Sequence, residues 1–274
     1  MPNRLIARRL LLAALLALAA GVEPAAAAEP DHLAWARRLV DGVTPETNLY
    51  ASRPTIVSWT GVAGAAETRN RSVCSALVAH LFMQAYGYRP ADFGSWLGAR
   101  FPKASGFHDA IAAGRGFQRI ERVAGILPGD VLAIAYAPGS RPTGHVLVAA
   151  ARPVERRSTP PEVPGTTQYE IRVIDSSHTG HGPSDTRHYA KGKFHSGVGE
   201  GSLRLYAAAG GALAGYSWSL TRASQFYPPG ERNLVVGRLD RTVRPTGHPG
   251  RIEAGEPDDA SDDDATPGRG DDGG

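Results

Sequence analysis

The chain of 274 residues contains a single cysteine, Cys74, and two distant residues, His145 and Asp175, have the chemistry to make it a nucleophile. A thiolate attacks a carbonyl carbon, an imidazole moves the proton, and a carboxylate orients the imidazole. Cys74 opens an apolar stripe continued by Leu77, Val78, Leu81, Phe82 and Ala85 at helical steps, which predicts a helix over residues 72–86 ended by Gly87. At a helix start the unpaired amides and the dipole favour thiolate over thiol, and the same amides can hold an oxyanion. A lone cysteine excludes any disulfide within the chain and any cysteine-cluster metal site.

Strands must supply the other two residues. The turn Leu127-Pro128-Gly129-Asp130 feeds an apolar run over 131–136, a second run starts at Gly144-His145-Val146, and a third covers 169–175. Antiparallel pairing keeps the sum of opposed residue numbers constant. If Ala151 opposes Tyr169, His145 opposes Asp175. Alternation then places His145, Leu147 and Ala149 on one face with Ile171, Val173 and Asp175, and that face is the expected seat of the cysteine helix. Residues 152–168, rich in proline and polar side chains, form a long connection. Further short apolar stretches at 56–59, 202–206, 212–219 and 233–236, with a helix expected from Asp31 to Val40, give an α+β fold with a mostly antiparallel sheet.

After Asp175 the chain reads Ser176-Ser177-His178-Thr179-Gly180-His181-Gly182-Pro183-Ser184-Asp185-Thr186-Arg187-His188. His178, His181, Asp185 and His188 are metal-ligand types, but their spacing matches no standard zinc site, so no metal and no cofactor are expected. The loop is expected to line the cleft, and Asp185 competes with Asp175 as the residue orienting His145. Gly197-Val198-Gly199-Glu200-Gly201 lacks the strand-turn-helix frame of a dinucleotide fingerprint. Ser75 and Ser176 carry no nucleophile-elbow pattern, which argues against a serine hydrolase.

Taken in order, Cys74-Ser75-Ala76-Leu77-Val78 opening a helix, Leu127-Pro128-Gly129-Asp130-Val131 before a strand, His145-Val146 starting the next and Val173-Ile174-Asp175 ending its neighbour resemble the NlpC/P60 peptidases and related papain-like hydrolases. Trp59-Thr60-Gly61 is similar to the family's aromatic-glycine segment before the nucleophile. The resemblance covers residues 56–177. It implies a papain-like α+β fold, cofactor-free thiol hydrolysis with Cys74 as nucleophile, His145 as base and Asp175 as third residue, and cleavage of peptide stems in bacterial cell walls. Trp59, Ser75, Ser176, His178 and His181 are then expected to contact substrate. The chain departs from the family pattern at Val73, where an aspartate usually stands, at Ala76 in place of a glycine, and at Val57 in place of a tyrosine.

The ends differ from the body. Arg4, Arg8 and Arg9 precede an apolar run over 10–20 and the alanines Ala25 to Ala28, which reads as a signal peptide over residues 1–28. Export to the periplasm or the extracellular space follows, with no stable membrane span once the signal is cleaved. Residues 251–274 carry nine acids against Arg251 and Arg269 and read as a disordered acidic tail. The leader holds three arginines against Glu23, so the whole-chain charge of +3 leaves +8 on residues 29–250, the expected hydrolase domain. No nucleic-acid motif accompanies that charge. The expected partner is peptidoglycan or another peptide or acyl substrate. The alternatives are an acyltransferase or thioesterase using the same triad, and a non-catalytic envelope-binding module on a degenerate hydrolase scaffold.

Overall fold

The computed structural model describes residues 29–242; the expected signal peptide and acidic tail lie outside them. The chain is α+β. Among the described residues four α-helices, α1 (Asp31–Gly42), α2 (Cys74–Tyr86), α3 (Pro90–Leu97) and α4 (Ala104–Ala112), precede most of the strands. Three short strands, β1 (Asn48–Leu49), β2 (Ile56–Ser58) and β3 (Arg69–Arg71), make a small sheet in the order β1-β3-β2. Then come β4 (Phe117–Ile120), β5 (Val131–Ala135), β6 (Gly144–Ala149), β7 (Val154–Glu155), β8 (Thr167–Ser177), β9 (His188–Ala190), β10 (Lys193–Phe194), β11 (Gly197–Ala207), β12 (Leu213–Ser217), β13 (Phe226–Tyr227) and β14 (Asn233–Leu239).

The main sheet runs β13-β12-β11-β8-β6-β5-β14-β4, with β7 also paired to β8, and its pairings are antiparallel. A bridge between Arg122 and Ala212 joins the segment after β4 to the segment before β12, so the sheet curls back towards itself. Period-2 alternation gives it two apolar faces. Val131, Ala133, Val146, Val148, Ile174 and Val235 face the helices and meet Leu77, Val78, Leu81 and Phe82 of α2. Leu132, Ile134, Leu147, Ala149, Val173 and Leu203 fill the inside of the curl. Strands buried on both faces read as continuous apolar runs, which is why 131–136 and 146–151 show no polar alternation.

Helix α2 begins at Cys74 and ends at Gly87, whose φ of 72° takes the left-handed cap that a side chain disfavours. The sequence signal for α2 therefore held. Helices α3 and α4 carried no recognised signal, although Pro90 at the first position of α3 and Gly98 after its end frame it as helices are commonly framed.

Two expectations about the sheet need correction. The β6–β8 ladder pairs Val148 with Ile174 and Ala149 with Val173, two residues away from the expected register. An even slip keeps every side chain on its face, so His145 and Asp175 remain on one face as diagonal neighbours rather than directly opposed partners. The cysteine helix, however, packs on the other face, that of Val146, Val148 and Ile174. Both faces are apolar, so alternation alone did not say which one the helix covers.

Candidate active site

The sulfur, the imidazole and the carboxylate are brought together at one end of the sheet. His145 Nε2 lies 2.6 Å from Asp175 Oδ2. That bond commits Nε2 and leaves Nδ1 for a second partner, and Cys74 acts on the same ring through its charge and a hydrogen bond. All three residues are buried. Burial alone would disfavour an imidazolium, but the facing charge of Cys74, the hydrogen bonds from Asp175 and Cys74, and the Asp175 charge hold His145 up at about 10. The site thus favours a protonated ring beside the sulfur.

Local sequence places each member. Gly144 precedes His145 because a Cβ there would lie 1.9 Å from the Ile134 carbonyl oxygen on β5. The Leu127-Pro128-Gly129-Asp130 turn is closed by Asp130, which accepts from the Leu127 amide at 2.8 Å and takes a two-pronged ion pair from Arg238, both contacts at 2.9 Å. Ahead of Cys74, buried amides and hydroxyls form a clamp. Ser72 Oγ donates to Asn70 Oδ1 at 2.6 Å, Asn70 Nδ2 donates to Asn48 Oδ1 at 2.8 Å, and Ser176 Oγ donates to the Ser72 carbonyl at 2.8 Å. Asn48 continues it by exchanging two hydrogen bonds with the Val198 backbone, at 2.7 and 2.8 Å. Val73 at the helix cap makes no side-chain cap bond, so the first-turn amides beside the sulfur are not consumed by a capping oxygen.

Behind Asp175 stands a charge cluster that sequence reasoning missed. Arg187 is fully buried and its guanidinium contacts Asp175 Oδ1, Asp185 Oδ2 at 2.9 Å, and the Gly197 carbonyl at 2.9 Å. Asp185 also accepts from the amides of His181 at 2.8 Å and Arg187 at 2.9 Å. Desolvation pushes the Asp175 carboxyl up, but the Arg187 and His181 charges with the His145 hydrogen bond outweigh it and hold Asp175 well below the usual carboxylate range. The choice between the two aspartates is thereby resolved: Asp175 touches His145, and Asp185 braces the arginine that touches Asp175.

The Gly197-Val198-Gly199-Glu200-Gly201 run, now seen as the start of β11, explains how this cluster fits. A Cβ on Gly199 would lie 2.6 Å from Arg187 Cγ, and one on Gly201 would lie 2.5 Å from Asp185 Oδ2. A Cβ on Gly197 would meet Asn48 Oδ1 at 2.0 Å. Glycine at every second position of a strand strips one face of side chains, and that spacing is the signal that could have revealed a buried group lying across it.

The residues expected to contact substrate separate into two groups. His178 is exposed, packs at a tilt on Tyr50 with ring centroids 4.3 Å apart, and lines a cavity of about 840 Å³. The other four are buried. Trp59 is only 3% exposed, packs on Trp35 and donates to the Trp35 carbonyl at 3.0 Å. Ser75 is buried on α2, and Ser176 is used in the clamp. His181 lies fully inside: Nδ1 is 3.0 Å from the Trp218 carbonyl, which can only accept, so Nδ1 carries a proton. Its Nε2 is 3.2 Å from Asp175 Oδ2, an ion-pair distance off the line of a good hydrogen bond. Of the four metal-ligand types, His181 and Asp185 belong to the buried cluster, while His188 packs at a tilt on Phe194 and His178 on Tyr50. Trp218 stands with its ring edge-on to His145 at 4.9 Å and 4.4 Å from His181.

No family model matches the chain, and no solved structure matches it. It is 30% identical over 229 residues to Uncharacterized protein R653 of Acanthamoeba polyphaga mimivirus, an alignment that covers 77% of this chain and 97% of the relative. Identity at that level across nearly the whole length of the relative places this chain in the family of the mimivirus protein R653.

Proposed function

We propose that the protein is an exported thiol hydrolase of papain-like, NlpC/P60-type architecture, cleaving amide bonds in peptides such as the stems of bacterial cell walls. The observation that carries this reading is the contact chain from Cys74 through His145 to a buried, ionised Asp175. A histidine held between a cysteine and a buried carboxylate is an arrangement that functional sites use to tune a nucleophile. The NlpC/P60-like order of the motifs supports the fold assignment, and the basic, alanine-rich leader supports export.

In this mechanism the Cys74 thiolate adds to the substrate carbonyl carbon, and the first-turn amides of α2 receive the oxyanion. His145 gives its Nδ1 proton to the leaving amine as the carbon–nitrogen bond breaks, leaving a thioester on Cys74. Water then attacks the thioester carbon while His145 takes its proton, and the acid product leaves with the thiolate restored. Asp175 stays ionised throughout and keeps Nε2–H pointed at itself. Arg187 positions Asp175.

The experiment is mass spectrometry of purified cell-wall fragments after incubation with the protein. Released peptides are expected with the wild type and none with Cys74→Ala. Fragments left intact by both proteins, while both bind them, would instead favour an envelope-binding module.

A further inference from the structure

The cavity of about 840 Å³ lies beside the site and shares one wall with it: Trp218 touches His145 and also lines the cavity. Its volume is that of an ordinary ligand site. The remaining walls come from the loop after β8, the β9–β10 hairpin and the loop after β12. That hairpin forms a two-stranded sheet of its own, apart from the main sheet. It carries Tyr189, 51% exposed, and Phe194, 36% exposed, two of the four large apolar side chains exposed among the described residues. Apolar side chains held out on an accessory hairpin around a cavity mark a contact surface. Isolated pairs of strands are also marginal in water and gain stability from what they cover.

The charge of the lining is one-sided. Lys191, His178 and His188 line the cavity, and no aspartate or glutamate does. Asp185 sits behind Gly180, outside the lining, and is ion-paired with Arg187. Resting on the hydrolase reading above, we infer that this cavity is a substrate subsite for an acidic peptide segment. The hairpin aromatics take the apolar body of that segment, and Lys191 with the two histidines takes its carboxylate.

The test uses the full chain with Cys74→Ala and two fluorescent peptides, acetyl-Ala-Phe-Glu-Ala and its Gln counterpart, followed by anisotropy. The Glu peptide is expected to bind roughly tenfold more tightly than the Gln peptide, by a margin that shrinks as salt rises. Lys191→Glu should abolish the margin. Tyr189→Ser with Phe194→Ser should weaken both peptides by roughly fivefold or more while leaving the margin. These side chains are exposed, so a melting temperature like the parent's is the check on folding. Equal binding of the two peptides, or a margin indifferent to Lys191→Glu, would overturn the subsite. Alkylation of Cys74 in the wild type by iodoacetamide separates the two readings. Fast, His145-dependent labelling with equal peptide binding removes only the subsite, whereas selective peptide binding with an inert Cys74 removes the hydrolase and leaves a peptide-binding protein.

Discussion

His145 is a fixed positive charge beside the sulfur across the neutral range, because the ring keeps its proton up to about 10. On the proposed mechanism iodoacetamide should label Cys74 at neutral pH faster in the wild type than in His145→Ala. Asp175→Asn should slow labelling less, since it loosens the ring without removing it. Measured rates against pH that do not change with either substitution would mean that the cysteine is merely packed. Arg187 belongs to the same scale. Replacing it with Met keeps much of the volume and leaves Asp175 and Asp185 buried without their cation, a loss worth about 3–5 kcal/mol. Urea unfolding should report most of that, and Arg187→Lys should recover only part, because a single ammonium cannot reproduce the planar fork.

Among the elements, β11 is the one whose composition is dictated by what lies across it. Gly199→Ala puts a methyl 2.6 Å from Arg187 Cγ and should cost about 1–3 kcal/mol. It should also slow alkylation of Cys74, through the displaced arginine and Asp175. Gly230→Ala, where a Cβ meets nothing within 4 Å, is the control and should stay within about 0.5 kcal/mol of the parent. Helix α1 shows the opposite electrostatic choice to β6. His32, buried against α2, has its Nδ1 2.6 Å from the Tyr86 hydroxyl and its Nε2 2.7 Å from the Gly129 carbonyl. The carbonyl fixes the proton on Nε2, and burial lowers the pKa of the ring in spite of that bond and the nearby Asp130. The two histidines shape stability against pH with opposite signs. His145, raised above an unfolded value of about 6.5, stabilises fully below that pH and loses its contribution as pH rises through about 10. His32, lowered, contributes above about 6.5 and loses its contribution as pH falls below it. Melting temperature should fall on both sides of neutrality, with His145→Ala flattening the alkaline limb and His32→Gln the acidic one.

At the level of the molecule, what could be read from sequence was what periodicity encodes. Cys74 at the head of α2, the strand that starts at His145 and the strand that carries Asp175 each had a local signal, and the pairing of β6 with β8 was recoverable to within an even slip. The face on which α2 packs was not, because strands buried on both sides look the same from either. Nor were Arg187, Asn48 and Asn70: Asn48 pairs with a strand 150 residues away, the acids that hold Arg187 lie 2 and 12 residues from it, and nothing in the local sequence distinguishes a buried arginine or asparagine from a solvated one. Trp59 misled for the complementary reason, since an aromatic before a nucleophile reads equally well as a platform or as core, and here Trp35 covers it.

The wide separation of the parts has a kinetic corollary. His145 and Asp175 stand 30 residues apart, and the arginine bracing them packs on a glycine strip formed later in the chain. Long-range contacts of this kind close late, after local helices have formed. On the hydrolase reading proposed above, a chain in which α2 has formed but β11 has not docked on β8 lacks the braced Asp175. The sulfur therefore stays latent until that pairing forms, and in the finished molecule burial decides what can reach it.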